Sequence, residues 1–232
     1  MLSLLLLLLL LAVTLPFAST TRSTKRGLIY IPSSHHPTDD NIWEQADSDV
    51  TWYYNYNVEP TSAYLRSSME FVPMLWGTTA QRTGTAFTDS VLNLIKGGTN
   101  LTHVLGFNEP DGDKPSGGSD IPVDIAAATW IREIEPLRKE GIKLGAPAVT
   151  GSQRGLDWLA DFFKECDGSC TVDFMPLHWY GDFGGLASHI GQTRALYPNL
   201  TIWITEYADA HVSLEDSQRF YNMSAEYFDR LE

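Results

Sequence analysis

The 232-residue sequence predicts an α/β fold of the (β/α)8 TIM-type barrel class, and three observations predict it. Seven short apolar runs recur along the chain, with helix-patterned stretches between the later ones. Most runs are continuously apolar rather than alternating, the pattern of parallel strands buried on both faces. No glycine-rich phosphate loop follows the first run, which disfavours the doubly wound, nucleotide-binding arrangement.

The N-terminal residues stand outside this fold. "MLSLLLLLLLLAVTLPFAS" has the length of a signal-peptide apolar region and ends in small residues, so residues 1–20 read as a signal peptide. It lacks the usual positive start, and its roughly 17 apolar residues fall short of the ~20 that a membrane span needs. Lys25–Arg26 reads equally as the end of a short propeptide over 21–26 or as a pair of surface charges. Residues 27–232 are expected to form one domain with one large core.

The runs are "GLIYIP" (27–32), "TWYYNYN" (51–57), "EFVPMLWG" (70–77), "HVLGFNEP" (103–110), "IKLGAPAV" (142–149), "VDFMPLHWYG" (172–181) and "LTIWITEYA" (200–208). "TDSVLNLIKGG" carries helical spacing with glycines to stop it. "SDIPVDIAAATWIREIEPLRKEG" has a capping Ser/Asp, an early proline and Gly141 as its stop, and Pro136 should kink it or end it early. "SLEDSQRFYNMSAEYFDRLE" closes the chain as a helix. Seven strands are one fewer than a closed barrel needs, so the expectation is a barrel lacking its last strand–helix unit.

The net charge of −13 becomes −16 without Arg22, Lys25 and Arg26. So acidic a surface argues against nucleic acid and anionic membranes and suits a neutral ligand. Cys166 and Cys170 are expected to pair with each other, as in a secreted protein, and no Cys/His set stands at metal-ligand spacing. No cofactor or metal is expected. Sequons at Asn100, Asn199 and Asn222 should lie on the surface if they are glycosylated.

Barrel chemistry sits at the C-terminal ends of the strands. There the runs place Tyr54, Asn55 and Asn57, then Trp76, then Asn108 and Glu109, then His178, Trp179 and Tyr180, and finally Glu206 with Tyr207. An acid closing an apolar strand is costly to bury and usually has a task or a partner. Two carboxylates facing a sugar cleft are what retaining glycoside hydrolysis requires, roughly 5 Å apart, one as nucleophile and one as acid/base. Aromatics offer flat faces to sugar rings, with Trp52 and Trp76 the better platform candidates, and Asn108 is placed to bond a hydroxyl beside the reacting carbon. Trp43, Trp130 and Trp158 lie on helical stretches and read as core.

"LGFNEPD", "KLGAPAVTGS", "FMPLHWYG" and "WITEYA", in this order, resemble the Asl1-like glycoside hydrolases of family 128, a clan A (β/α)8 group of fungal and bacterial β-1,3-glucanases. The resemblance runs from about Gly27 to Tyr207. It implies that Glu109 is the acid/base and Glu206 the nucleophile. It also implies that Asn108, His178, Tyr180 and the Trp/Tyr cluster line the glucan cleft. The family's aromatic-rich last strand has no counterpart here.

Bland readings stand beside these. Both glutamates also read as structural acids in ion pairs. His178 reads as an orienting hydrogen-bond partner or as a packed residue, Trp179 as facing the cleft or packing behind it. Asp111 reads as a brace for the loop after Pro110, and His35–His36 as a solvated loop. The expected function is a secreted, monomeric, retaining endo-β-1,3-glucanase that binds β-glucan in the cell wall or medium. The alternatives are a glucan-binding wall protein without turnover and an enzyme for another linkage.

Overall fold

The computed structural model describes residues 25–36, 38–64 and 68–231; the expected signal peptide and most of the expected propeptide lie outside them. Seven strands follow the seven apolar runs: β1 (Gly27–Ile29), β2 (Trp52–Tyr54), β3 (Glu70–Phe71), β4 (His103–Leu105), β5 (Lys143–Gly145), β6 (Phe174–Tyr180) and β7 (Thr201–Ala208). Five α-helices alternate with the later ones: α1 (Ala86–Lys96), α2 (Val123–Glu133), α3 (Gln153–Cys166), α4 (Phe183–Leu196) and α5 (Leu214–Arg230).

All strand pairs are parallel, in the order β1-β2-β3 and β4-β5-β6-β7. A single bridge between Met74 and Leu105 joins the two groups. The spatial order therefore follows the chain order without the reversal that a doubly wound sheet requires. The series curls until β1 lies beside β7. The Tyr54 hydroxyl crosses that seam to donate to the Thr205 carbonyl at 3.0 Å. Among the described residues no ladder joins β7 to β1, so the barrel is not closed there.

Side chains divide by strand alternation. Tyr54, Val72, Met74, Leu105 and Phe174 fill the inside of the curl, with Trp52, Tyr56 and Trp203 packed against them. Their neighbours Tyr53, Phe71, Val104 and Met175 face outward to Phe87, Val91, Trp130 and Phe162 of the helices. Gly106 is needed where β4 passes closest to its cover, because a Cβ there would stand 2.8 Å from the Trp130 ring and 3.0 Å from the Gly145 carbonyl.

Pro136 does end its helix early. The α-helix stops at Glu133, a 3-10 turn runs from Glu135 to Glu140, and Gly141 terminates it at φ 79°. The expected Ser/Asp cap is not used. Pro122 takes the N-cap position with no side-chain bond, since Ser119 is buried and Asp120 turns away at φ 51°. Cys166 and Cys170 form the expected disulfide at the end of α3. Asn100, Asn199 and Asn222 are all exposed. No described helix is long and apolar enough to cross a membrane.

Candidate active site

The last strand carries an irregularity that decides which way its acid faces. Alternation sends Trp203 inward and Ile202 and Ile204 toward the helices. Continued without a break, it would send Glu206 outward with the isoleucines. Instead the register passes from Leu177 opposite Ile204 to His178 opposite Glu206. Thr205 is the extra residue of a β-bulge, and beyond it the two faces of β7 exchange. Glu206 thus points inward beside His178, and Tyr207 points outward onto Phe220 and Phe228 of α5.

Inside the mouth, Glu206 is 5% exposed and surrounded by phenols. Tyr56 donates to its Oε1 and Tyr180 to its Oε2, each at 2.8 Å. Tyr54 stands 3.5 Å from Oε1. Burial, and next the charge of Glu206, push all three phenols above their usual range, so they act as neutral donors.

Glu109 reaches the same mouth from the loop after β4. Its backbone adopts φ 40°, a left-handed conformation that a non-glycine residue holds only under constraint. The constraint is explicit: its N–H donates to the Ala148 carbonyl at 2.7 Å, and its carbonyl accepts from Gly112 at 2.9 Å and Ser119 at 3.1 Å. Asp111 ties the same loop to β5's extension, accepting from the Thr150 N–H at 2.9 Å and hydroxyl at 2.5 Å. Asn108 is buried. Its Nδ2 donates to the Gly117 carbonyl at 3.2 Å, while Oδ1 has no protein partner.

His178 joins the two acids. It is fully buried, with Nδ1 hydrogen-bonded to Glu109 Oε1 at 3.0 Å and Nε2 3.4 Å from Glu206 Oε1, too misaligned for a hydrogen bond. One ligating atom from each of the three residues lies within 4.8 Å of the other two. A metal would need one ring nitrogen and both carboxylates to converge at ~2 Å. Here Nδ1 is taken up by a hydrogen bond to Glu109, and Nε2 faces Glu206 without one, so the ring turns a different nitrogen to each acid. Two carboxylates this close, one strained and one held by neutral donors, match the ~5 Å spacing of retaining glycoside chemistry.

The profile of the family described as glycosyl hydrolase catalytic core matches residues 27–232. The chain is 36% identical over 189 residues to Alkali-sensitive linkage protein 1 of Schizosaccharomyces pombe, covering 80% of this chain and 32% of that protein. It thus spans about a third of that relative's length. It also resembles the crystal structure of a family 128, subgroup IV endo-β-1,3-glucanase from Lentinula edodes, at 27% identity and TM-score 0.71, over 90% of this chain and 80% of that one. The chain belongs to glycoside hydrolase family 128. A family 128, subgroup VII oligosaccharide-binding protein from Cryptococcus neoformans is similar too, at 26% identity and TM-score 0.69, over 92% of this chain and 81% of that one.

Within this family 128 member, the sequence-derived residues divide. Glu109, Glu206, His178, Tyr180 and Tyr54 meet at one point, and Asn108 adjoins them. Trp76 is 36% exposed beside Asn108, whose N–H it accepts through its carbonyl.

Four others do not reach the carboxylates. Trp52 lies at the N-terminal end of β2 and packs on Trp203 at 4.8 Å, plugging the opposite end of the curl. Asn55 is engaged in its own turn, bonded to the Asn57 N–H and the Glu59 carbonyl. Trp179 faces outward onto α4, with its ring against His189 and Gly185 and its N–H donating to the Asp182 carbonyl. Tyr207 is outward for the reason given, its phenol pushed up to about 12 by burial. Tyr56 was missed. The signal for it was Trp52, Tyr54 and Tyr56 recurring at a period of two.

Proposed function

We propose that the protein is a secreted retaining endo-β-1,3-glucanase in which Glu206 is the nucleophile and Glu109 the acid/base. The observation that carries this reading is the approach of the two carboxylates to within 4.8 Å, with His178 between them. A Glu206 oxygen attacks the anomeric carbon while the bond to the leaving oxygen breaks, and Glu109 gives that oxygen its proton. Water then attacks the same carbon, Glu109 takes the water's proton, and the glycosyl ester opens to restore the Glu206 carboxylate. Asn108 Oδ1 accepts from a sugar hydroxyl next to the reacting carbon, and Trp76 with Tyr180, both exposed at the mouth, offers rings for sugars to lie on. The endo mode and the 1,3 linkage are supported by the similar Lentinula edodes enzyme. Secretion is supported by the apolar leader and by the disulfide.

The test compares release of reducing sugar from laminarin or curdlan by the wild type, Glu109→Gln and Glu206→Gln. Each variant should lose at least about 10³-fold in kcat. Full activity in either variant overturns its assignment. The second reading, glucan binding without turnover, is favoured by the similar Cryptococcus neoformans protein. Retention on insoluble glucan with no soluble oligosaccharide released would select it.

A further inference from the structure

We propose that Tyr56 is a positioning residue for Glu206, holding one carboxylate oxygen while Tyr180 holds the other. The inference rests on the reading of Glu206 as nucleophile and names a residue that reading did not contain. The last torsion of a glutamate side chain is broad, so one donor leaves the carboxylate plane free to rotate. Here each oxygen has its own donor, from opposite sides of the curl: Tyr56 from the loop after β2 on Oε1, Tyr180 from β6 on Oε2, both at 2.8 Å. Such a pair fixes which lone pair faces the mouth.

Tyr54 cannot substitute for it. Its hydroxyl is committed to the Thr205 carbonyl at 3.0 Å, and its distance to Oε1 is the longer one, 3.5 Å. The backbone supports a dedicated role for Tyr56, because the residue sits at φ 59°. A bulky side chain holds that conformation at a cost, and such strain collects where a site needs it. Asn55 supplies the constraint: its Oδ1 accepts from the Asn57 N–H at 3.2 Å and its Nδ2 donates to the Glu59 carbonyl at 3.0 Å. The Tyr56 ring then rests edge-on against Tyr54, with centroids 5.2 Å apart. The polar expectation attached to Asn55 thus becomes an indirect one.

Glu206 faces Tyr54 and Tyr56 from β2 and its loop, His178 and Tyr180 from β6, and Glu109 from the loop after β4. Tyr56 donates to the ionised carboxylate and loses that interaction when the glycosyl ester forms. It therefore favours the reactive ionised state and the orientation of attack rather than substrate binding.

The experiment is Tyr56→Phe, which keeps the ring and its packing. With laminarin-derived oligosaccharides, kcat should fall roughly 10- to 100-fold, the worth of one hydrogen bond to a charged group, with KM changed little. The acid limb of the kcat/KM profile should move to higher pH, because the ionised form has lost a donor. The melting temperature should fall by roughly 3–12 °C, the share of one hydrogen bond to a charged group, and leave the variant folded under assay conditions. A merely structural role would lower the melting temperature alike but leave kcat and the acid limb in place, and either an unmoved limb or an unchanged kcat in the folded variant overturns the proposal. A wild type that releases no sugar refutes the glucanase reading instead, and takes the positioning role with it.

Discussion

Asp111 to alanine offers the sharpest check on how the loop carrying Glu109 is held. The Asp111 side chain is completely buried and accepts two hydrogen bonds from Thr150. Arg154 stands 3.6 Å away but is 70% exposed, so its ion pair contributes close to nothing. A hydrogen bond to a charged group is worth ~1.5–3 kcal/mol. The Thr150 hydroxyl keeps a second partner in Ser152 at 2.8 Å, leaving the Thr150 N–H as the orphaned donor. The expected loss is therefore about 3 kcal/mol, or roughly 6–12 °C in melting temperature for a chain of this size. Asp111→Asn can still accept from the N–H and donate to the hydroxyl, and should lose only about 1 kcal/mol. Thermal unfolding followed by circular dichroism reads both numbers, and glucan hydrolysis well below the transition reads the loop. Hydrolysis should fall in Asp111→Ala, because the Glu109 backbone at φ 40° loses one of its restraints. An alanine variant as stable as the asparagine one would refute the reasoning.

Two further outcomes are expected. At the opposite end of the curl, burial alone would raise the Glu70 carboxyl, but bonds from His103 and from the Thr102 hydroxyl and N–H outweigh it and hold the group below its ordinary 4.5. A depressed carboxyl stabilises the fold above its unfolded-state pKa and loses that contribution as pH falls through the folded one. Glu70→Gln should accordingly be less stable than wild type at pH 7, with the gap closing below about pH 4 in denaturant titrations; a gap independent of pH would count against it. Deleting Thr205 removes the extra residue, so Trp203, Ile204 and Glu206 alternate without a break, Glu206 stays inward opposite His178, and hydrolysis should survive in the folded variant. Thr205→Ala loses only a 3.3 Å bond to the Leu177 carbonyl, about 1 kcal/mol, and should remain active too; a folded deletion variant without activity would contradict the role given to the bulge.

The strands were legible because burial on both faces leaves a run of apolar letters, and all seven runs contain their strands. Pro136 and Gly141 were legible because each carries a constraint of its own backbone. The acids were legible as strand ends, which is how Glu109 and Glu206 were found together. Facing was not. "TIWITEYA" alternates as though Glu206 belonged with Ile202 and Ile204, and only the pairing with β6 shows that Thr205 breaks the count. Trp52 and Tyr54 share one face of β2, yet they stand at different depths: one plugs the far end and the other touches the acid. Tyr56 lies beyond the strand in a left-handed conformation whose cause is a pair of hydrogen bonds from Asn55. The facing of Glu206 and the depths of Trp52 and Tyr54 depend on contacts between elements distant in sequence, which no local pattern encodes.

The bulge in β7 also makes the position of Glu206 a question of parity. Two residues separate Trp203 from Glu206, a count that unbroken pairing would turn to opposite faces, and the extra residue Thr205 returns the acid to the inside. Two chains can therefore carry the same letters around this glutamate and differ in the face it takes. Within β7, the bulge rather than the spelling sets the facing of the acid.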